Sequence, residues 1–167
     1  MTLYRADNLA IDTTTGLAGG LSYTTGIKVA MQLQIPDNAV IRLVEFGWSQ
    51  DVATATLTLL KIQTTDTAST LTTALSTTLV KPLIDRDARA SSLTMATTGS
   101  AVGTGALTSR TSIRDIAGLY IPQVYEKIWP LGTYPIGGSG TAENFVQVLV
   151  NTTATVNGIC WMVWDEA

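Results

Sequence analysis

Histidine is absent from this chain of 167 residues. Its absence removes the commonest general base and the commonest metal ligand. Ser/His/Asp and Cys/His nucleophile systems go with it, as do most zinc sites. There is one cysteine, Cys160, so no internal disulfide can form, and its place within an apolar run reads as a buried, inert thiol. Charged residues make up 14% of the chain, where about 25% is usual. No run of Lys or Arg occurs and the formal net charge is −3, so the phosphate-neutralising cluster needed for nucleic-acid binding is missing. No stretch approaches the roughly 20 apolar residues of a membrane span. The opening M-T-L-Y-R-A-D lacks the basic-then-apolar order of a secretory signal, so synthesis in a cytoplasm is expected.

Threonine fills the place of the missing charge, with Ser, Asn and Gln. Thr is β-branched and suits a pleated, half-exposed surface, so the composition predicts an all-β fold. The length fits one domain, large enough to bury about 70% of the surface of its unfolded chain. Alternation supplies the strands. Ile27, Val29, Met31, Leu33 and Ile35 fall on one face, with Lys28, Ala30, Gln32 and Gln34 on the other, and Pro36-Asp37-Asn38 follows as a turn. A second strand from Ala39 to Gln50 alternates less cleanly, and Gly47 between two aromatics predicts a bulge or a close backbone approach. A third runs from about Ala55 to Gln63. The stretch from Asn144 to Asp165 reads as a β-hairpin closing a β-sandwich, with Val146, Val148 and Val150 on one face of its first strand. On its second strand Ile159, Trp161 and Val163 oppose Val156, Cys160, Met162 and Trp164. A strand apolar on both faces implies the core on one side and a second layer or subunit on the other.

Residues 1–26 predict an extended N-terminal arm, and residues 27–167 a single β-sandwich domain. The arm is rich in Thr and Gly and has no sustained period, yet Leu3, Tyr4, Leu9 and Ile11 are too apolar for a solvated linker. It is expected to lie on a surface, its own or a neighbour's. The expected interface residues are Leu3, Tyr4 and Ile11 of the arm, with Met162 and Trp164 of the last strand. Leu71, Leu75 and Leu79 have helical spacing after a possible cap at Asp66, but the surrounding Thr residues equally allow a surface loop.

Nothing in the sequence assembles a catalytic, metal or cofactor site. Asp85, Arg86, Asp87 and Arg89 form the densest charge cluster and read as a solvated loop with local ion pairs. Gly103-Thr104-Gly105 lacks the Lys of a phosphate-binding loop, Gly137 to Gly140 lead into a strand, and both read as turns. Trp48, Trp129, Trp161 and Trp164 could stack sugars, although tryptophans alternating with aliphatic residues usually pack a core or a subunit contact.

Several stretches together, in order along the chain, resemble a family of tailed-bacteriophage virion proteins of the actinobacterial-phage type, described as head decoration or minor capsid proteins. They are Y-R-A-D at Tyr4, K-V-A-M-Q-L-Q-I-P-D-N-A-V-I-R-L-V-E-F-G-W-S at Lys28, T-L-T-L-L-K-I-Q-T-T at Thr56, W-P-L-G at Trp129, and T-A-T-V-N-G-I-C-W-M-V-W-D-E at Thr153. The Leu/Thr stretch from Leu71 to Leu83 departs from the family's Pro- and Asp-rich middle. The resemblance implies a β-sandwich with jelly-roll-like topology that oligomerises and sits on the outer surface of an icosahedral head, with the major capsid protein as its partner; the last strand, apolar on both faces, makes a homotrimer the expected oligomer, with three such surfaces about a shared axis. The resemblance carries over no catalytic residue; no cofactor is expected, and the charge and hydropathy already argue against a nucleic-acid or membrane partner. A tail or spike component with receptor or glycan affinity is the second reading.

Overall fold

Short alternating runs with little charge and many β-branched residues favour strands, and strands account for the regular structure among the described residues. The computed structural model describes residues 2–11, 18–37, 39–51, 56–77, 79–84, 88–108, 114–121, 123–130, 136–138 and 143–166, with no helix among them. The N-terminal strands are β1 (Thr2–Asp7), β2 (Ala10–Ile11), β3 (Ala18–Gly19), β4 (Leu21–Tyr23) and β5 (Gly26–Gln34). The middle holds β6 (Val40–Asp51), β7 (Thr58–Thr65), β8 (Thr73–Ala74), β9 (Lys81–Pro82) and β10 (Ala101–Ala106). The last five are β11 (Arg114–Ile121), β12 (Val124–Ile128), β13 (Ile136–Gly138), β14 (Phe145–Thr152) and β15 (Val156–Glu166).

Two antiparallel sheets pack face to face as a β-sandwich. The seven-stranded sheet has the order β12–β6–β15–β1–β9, with β13 also on β6 and β4 also on β15. The six-stranded sheet has the order β11–β7–β14–β5–β10–β8, and β2 and β3 form a separate small ribbon. Between the sheets, Tyr4, Tyr23, Phe46, Trp48, Met162 and Trp164 meet Met31, Leu33, Leu60, Ile62, Val146 and Val148. Full burial of each such aliphatic or aromatic side chain stabilises the fold by about 1.5–3 kcal/mol.

The closing stretch is an arch and not a hairpin. β14 pairs with β5 and β7 in one sheet, and β15 pairs with β1, β4 and β6 in the other. β14 is buried on both faces, and such a strand is best placed in the middle of a sheet with neighbours on both edges. The outer face of β14 is covered within the chain: Gln147 Nε2 donates to Gln32 Oε1 at 2.6 Å, and Gln63 Nε2 donates to Gln147 Oε1 at 3.2 Å. Loops close over this glutamine row, with Gln32 Nε2 donating to the Gly99 carbonyl at 2.7 Å and Ser69 N to Gln32 Oε1 at 2.9 Å.

Two bulges alter the expected alternation. The β5 register skips Ala30 against β14, so Ile27 and Val29 join Leu71 and Leu149 on the outer side while Ala30, Met31 and Leu33 enter the core. The β6 register skips Val44 against β15, which brings Ile41, Leu43, Phe46 and Trp48 all inward. The leucine series after Asp66 makes no helix: Leu71 packs outside the six-stranded sheet, Leu75 fills the main core, and Leu79 is exposed. Gly103 and Gly105 lie within β10 and not in a turn, while Leu119 to Tyr125 divides between β11 and β12, one in each sheet. Asp85 and Asp87 lie outside the described residues.

The expected arm belongs to the sandwich. β1 pairs with β15 from Thr2↔Glu166 to Asp7↔Trp161, and β4 continues along β15 at Tyr23↔Val156. Buried Asn8 locks this edge: its Nδ2 donates to Tyr23 Oη at 2.7 Å, and its Oδ1 accepts from Cys160 N at 2.8 Å. The Tyr4 ring stacks on Trp164 with centroids 6.1 Å apart. Short strands carry too few residues to display a period, which is why residues 1–26 read as an arm. Deleting residues 1–23 should therefore abolish the cooperative thermal transition, measured by circular dichroism. An unchanged melt would show that β1 and β4 are dispensable appendages.

Candidate functional site

The outer face of the seven-stranded sheet carries half-exposed Ile159 and Trp161 on its central strand. It is built by parity along β15. Cys160, Met162 and Trp164 turn inward into the core, and Ile159, Trp161, Val163 and Asp165 turn outward. The cross-strand register sets their neighbours. Ser49 and Val124 lie in line with Ile159, Gly47 and Glu126 with Trp161, and Glu45, Ile128 and Arg5 with Val163.

Trp161 occupies the centre of this face. A methyl group on Gly47 would fall 1.8 Å from Trp161 Cζ2, so the ring lies directly on the glycine backbone. Its Nε1 donates to Glu45 Oε1 at 2.5 Å, and the Arg5 guanidinium lies over the ring, 5.5 Å from its centroid. Asp165 accepts from Arg42 at 3.3 Å beside them. Val124 and Ile128 are exposed at the β12 margin. At the other end, an open groove of about 370 Å³ runs among Gly19, Gly20, Ser49, Asp51, Asn157 and Ile159. The surface is thus mixed, with half-exposed apolar groups among charged ones.

Of the expected interface residues, Tyr4, Met162 and Trp164 are buried in the core of a single chain, so they cannot serve as contacts while the sandwich stays folded. Leu3 is half-buried in β1, opposite Asp165, and Ile11 lies in β2 with its side chain outside the described residues. The sequence divided β15 into its two faces, but the outward one is that of Trp161. Asp165 shares its parity and is a signal for it, yet Glu166 shares the other parity and cancels that signal.

Nor do the four tryptophans offer a sugar platform. Trp48, Trp129 and Trp164 are buried, and Trp161 is held between Gly47 and Arg5. Glu166 is buried and hydrogen-bonded: it accepts from Ser91 Oγ, from Ser92 N at 2.9 Å, from Ser92 Oγ at 2.8 Å and from Trp164 Nε1 at 3.1 Å. It ties the loop before β10 to the end of the sandwich. Burial pushes the Cys160 thiol well above its ordinary pKa, with Asp7 adding to the shift, so little thiolate forms. Among the described residues, no group of three or more His, Cys, Asp or Glu side chains could hold a metal ion.

A second tryptophan lies on a glycine on the inner side of the same strand pair. A methyl group on Gly158 would fall 2.2 Å from Trp48 Cη2, and that ring is fixed by Tyr23 at 5.4 Å and by Nε1 donation to Gln50 Oε1 at 3.0 Å. The buried ring cannot move aside, whereas half-exposed Trp161 can. Gly158→Ala should destabilise by about 2–3 kcal/mol and Gly47→Ala by about 1 kcal/mol, compared by urea unfolding. The reverse order would contradict the two contacts. Compared with protein-family models, with curated proteins and with solved structures, the chain matches none.

Proposed function

We propose that this chain is a virion structural protein that binds the outside of an icosahedral bacteriophage head through the major capsid protein and stabilises the shell. It is made in the host cytoplasm, self-associates and uses no cofactor. The resemblance of its ordered motifs to head decoration proteins motivates the reading. The observation that carries it is the outer face around Trp161. A broad strand-built surface of apolar groups interspersed with charges fits a preformed protein surface better than it fits a small molecule. A central strand in a fully paired sheet holds that surface rigid, so little entropy is lost on docking. Glycan binding by a tail or spike component has less support, because no tryptophan ring lies open. A trimer built on Met162 and Trp164 has less support, because both side chains lie in the core of a single chain.

The test is sedimentation with capsids that lack the protein. Wild-type protein should co-sediment and raise the temperature at which the shells open. Ile159→Arg and Ile128→Arg should each weaken binding at least tenfold while leaving the melt of the free protein within a few degrees. Failure of the wild-type protein to bind capsids, or equal binding by both variants, would overturn the proposal.

A further inference from the structure

The four outermost sheet edges are not equally protected. β8 and β9 have two residues each and β12 has five, whereas β11 has eight, and along its residues 117–121 no second described strand pairs with it. Short edge strands limit unwanted pairing, and a long edge with little charge invites it. On β11 the charges sit at its start, in Arg114 and Asp115, and a register irregularity separates Asp115 from Ala117. The regular run that remains is Ala117-Gly118-Leu119-Tyr120-Ile121. Its core-side residues Ala117 and Leu119 are only partly covered, so the core thins out along this flank. Tyr120 on the outer side is 69% exposed, and Val124 and Ile128 are exposed on β12, which follows after two residues.

Gly118 is the second observation. Glycine weakens a strand by its conformational freedom, so a strand glycine calls for a reason. Gly47 and Gly158 each have one, a tryptophan ring lying on them. Gly118 has none among the described residues: it is exposed, and of these a methyl group there would meet the Leu60 carbonyl at 3.9 Å.

We infer that β11 pairs antiparallel with β11 of a second copy, about a two-fold axis at Leu119, with each Tyr120 ring lying on Gly118 of the other copy. Centring on Leu119 places Leu119 opposite itself, Ala117 opposite Ile121, and Gly118 opposite Tyr120. The apolar residues therefore meet on the core side and the aromatic–glycine pairs form on the outer side. This is the arrangement that Trp161 and Gly47 already make across β15 and β6, where an aromatic ring covers the backbone that glycine leaves bare. One sheet would then run through both copies. A two-fold contact uses the same patch on both copies and closes, so it yields a dimer and not a fibre. The dimer gives a definite form to the self-association proposed above and leaves the Trp161 face free for a different partner.

The free protein is weighed without capsids, by sedimentation equilibrium and light scattering, so this test and the capsid test fail independently. Wild-type protein should have twice the chain mass at tens of micromolar. Gly118→Val should weaken the dimer at least tenfold with the fold intact, since a β-branched residue suits an exposed strand position. Tyr120→Ser should do the same and decides the matter if Gly118→Val fails to fold, while Leu83→Ser, an exposed position away from this flank, should remain dimeric. A monomeric or trimeric wild type, or a dimer indifferent to both β11 changes, would overturn the inference.

Discussion

The contact on which the rest of the molecule depends is the pairing of β15 with β6, where two tryptophan rings lie on two glycines. Trp161 covers Gly47 outside and Trp48 covers Gly158 inside. A side chain at either glycine would lift a ring off the sheet. On the inner side that would displace the Tyr23–Trp48 contact, and with it the anchorage of β4. The pair therefore fixes both the core and the outward surface. β1 and β4 then share the free edge of β15, so the two ends of the chain are held by the same strand.

The fold class was legible because it rests on composition and on side-chain parity, both of which are local. Threonine in place of charge, and runs such as Leu57 to Ile62, point to strands whatever their partners. Parity also divided β15 correctly into its two faces. Partner choice was not legible. An arch and a hairpin both consist of two apolar strands and a turn, and they differ only in the direction of the backbone hydrogen bonds. The bulges at Ala30 and Val44 carry no residue signal, since neither is glycine or proline, and each reverses the faces of the residues before it. Strands as short as β4 show no period at all, so the N-terminal segment read as an arm.

The candidate site was half legible. Gly47 announced a close approach, but its partner could be named only once the register placed Trp161 opposite. The outward parity was misassigned because Asp165 and Glu166 put a charge on each face. In the fold, Asp165 remains on the outward face with Arg42, while Glu166 turns in to hold Ser91, Ser92 and Trp164. The β11 edge carried no motif, and its significance emerges only from comparison with the other edges.

In this account β15 is the axis of the sandwich and the N-terminal strand is an internal member of its sheet. Amide hydrogen exchange of the full chain measures that claim strand by strand, because protection reports the free energy of opening each hydrogen bond. The account predicts that the amides of β1 that bond to β15 exchange as slowly as those between β15 and β6. Rapid, loop-like exchange throughout residues 2–7, with β15 and β6 still protected, would contradict it.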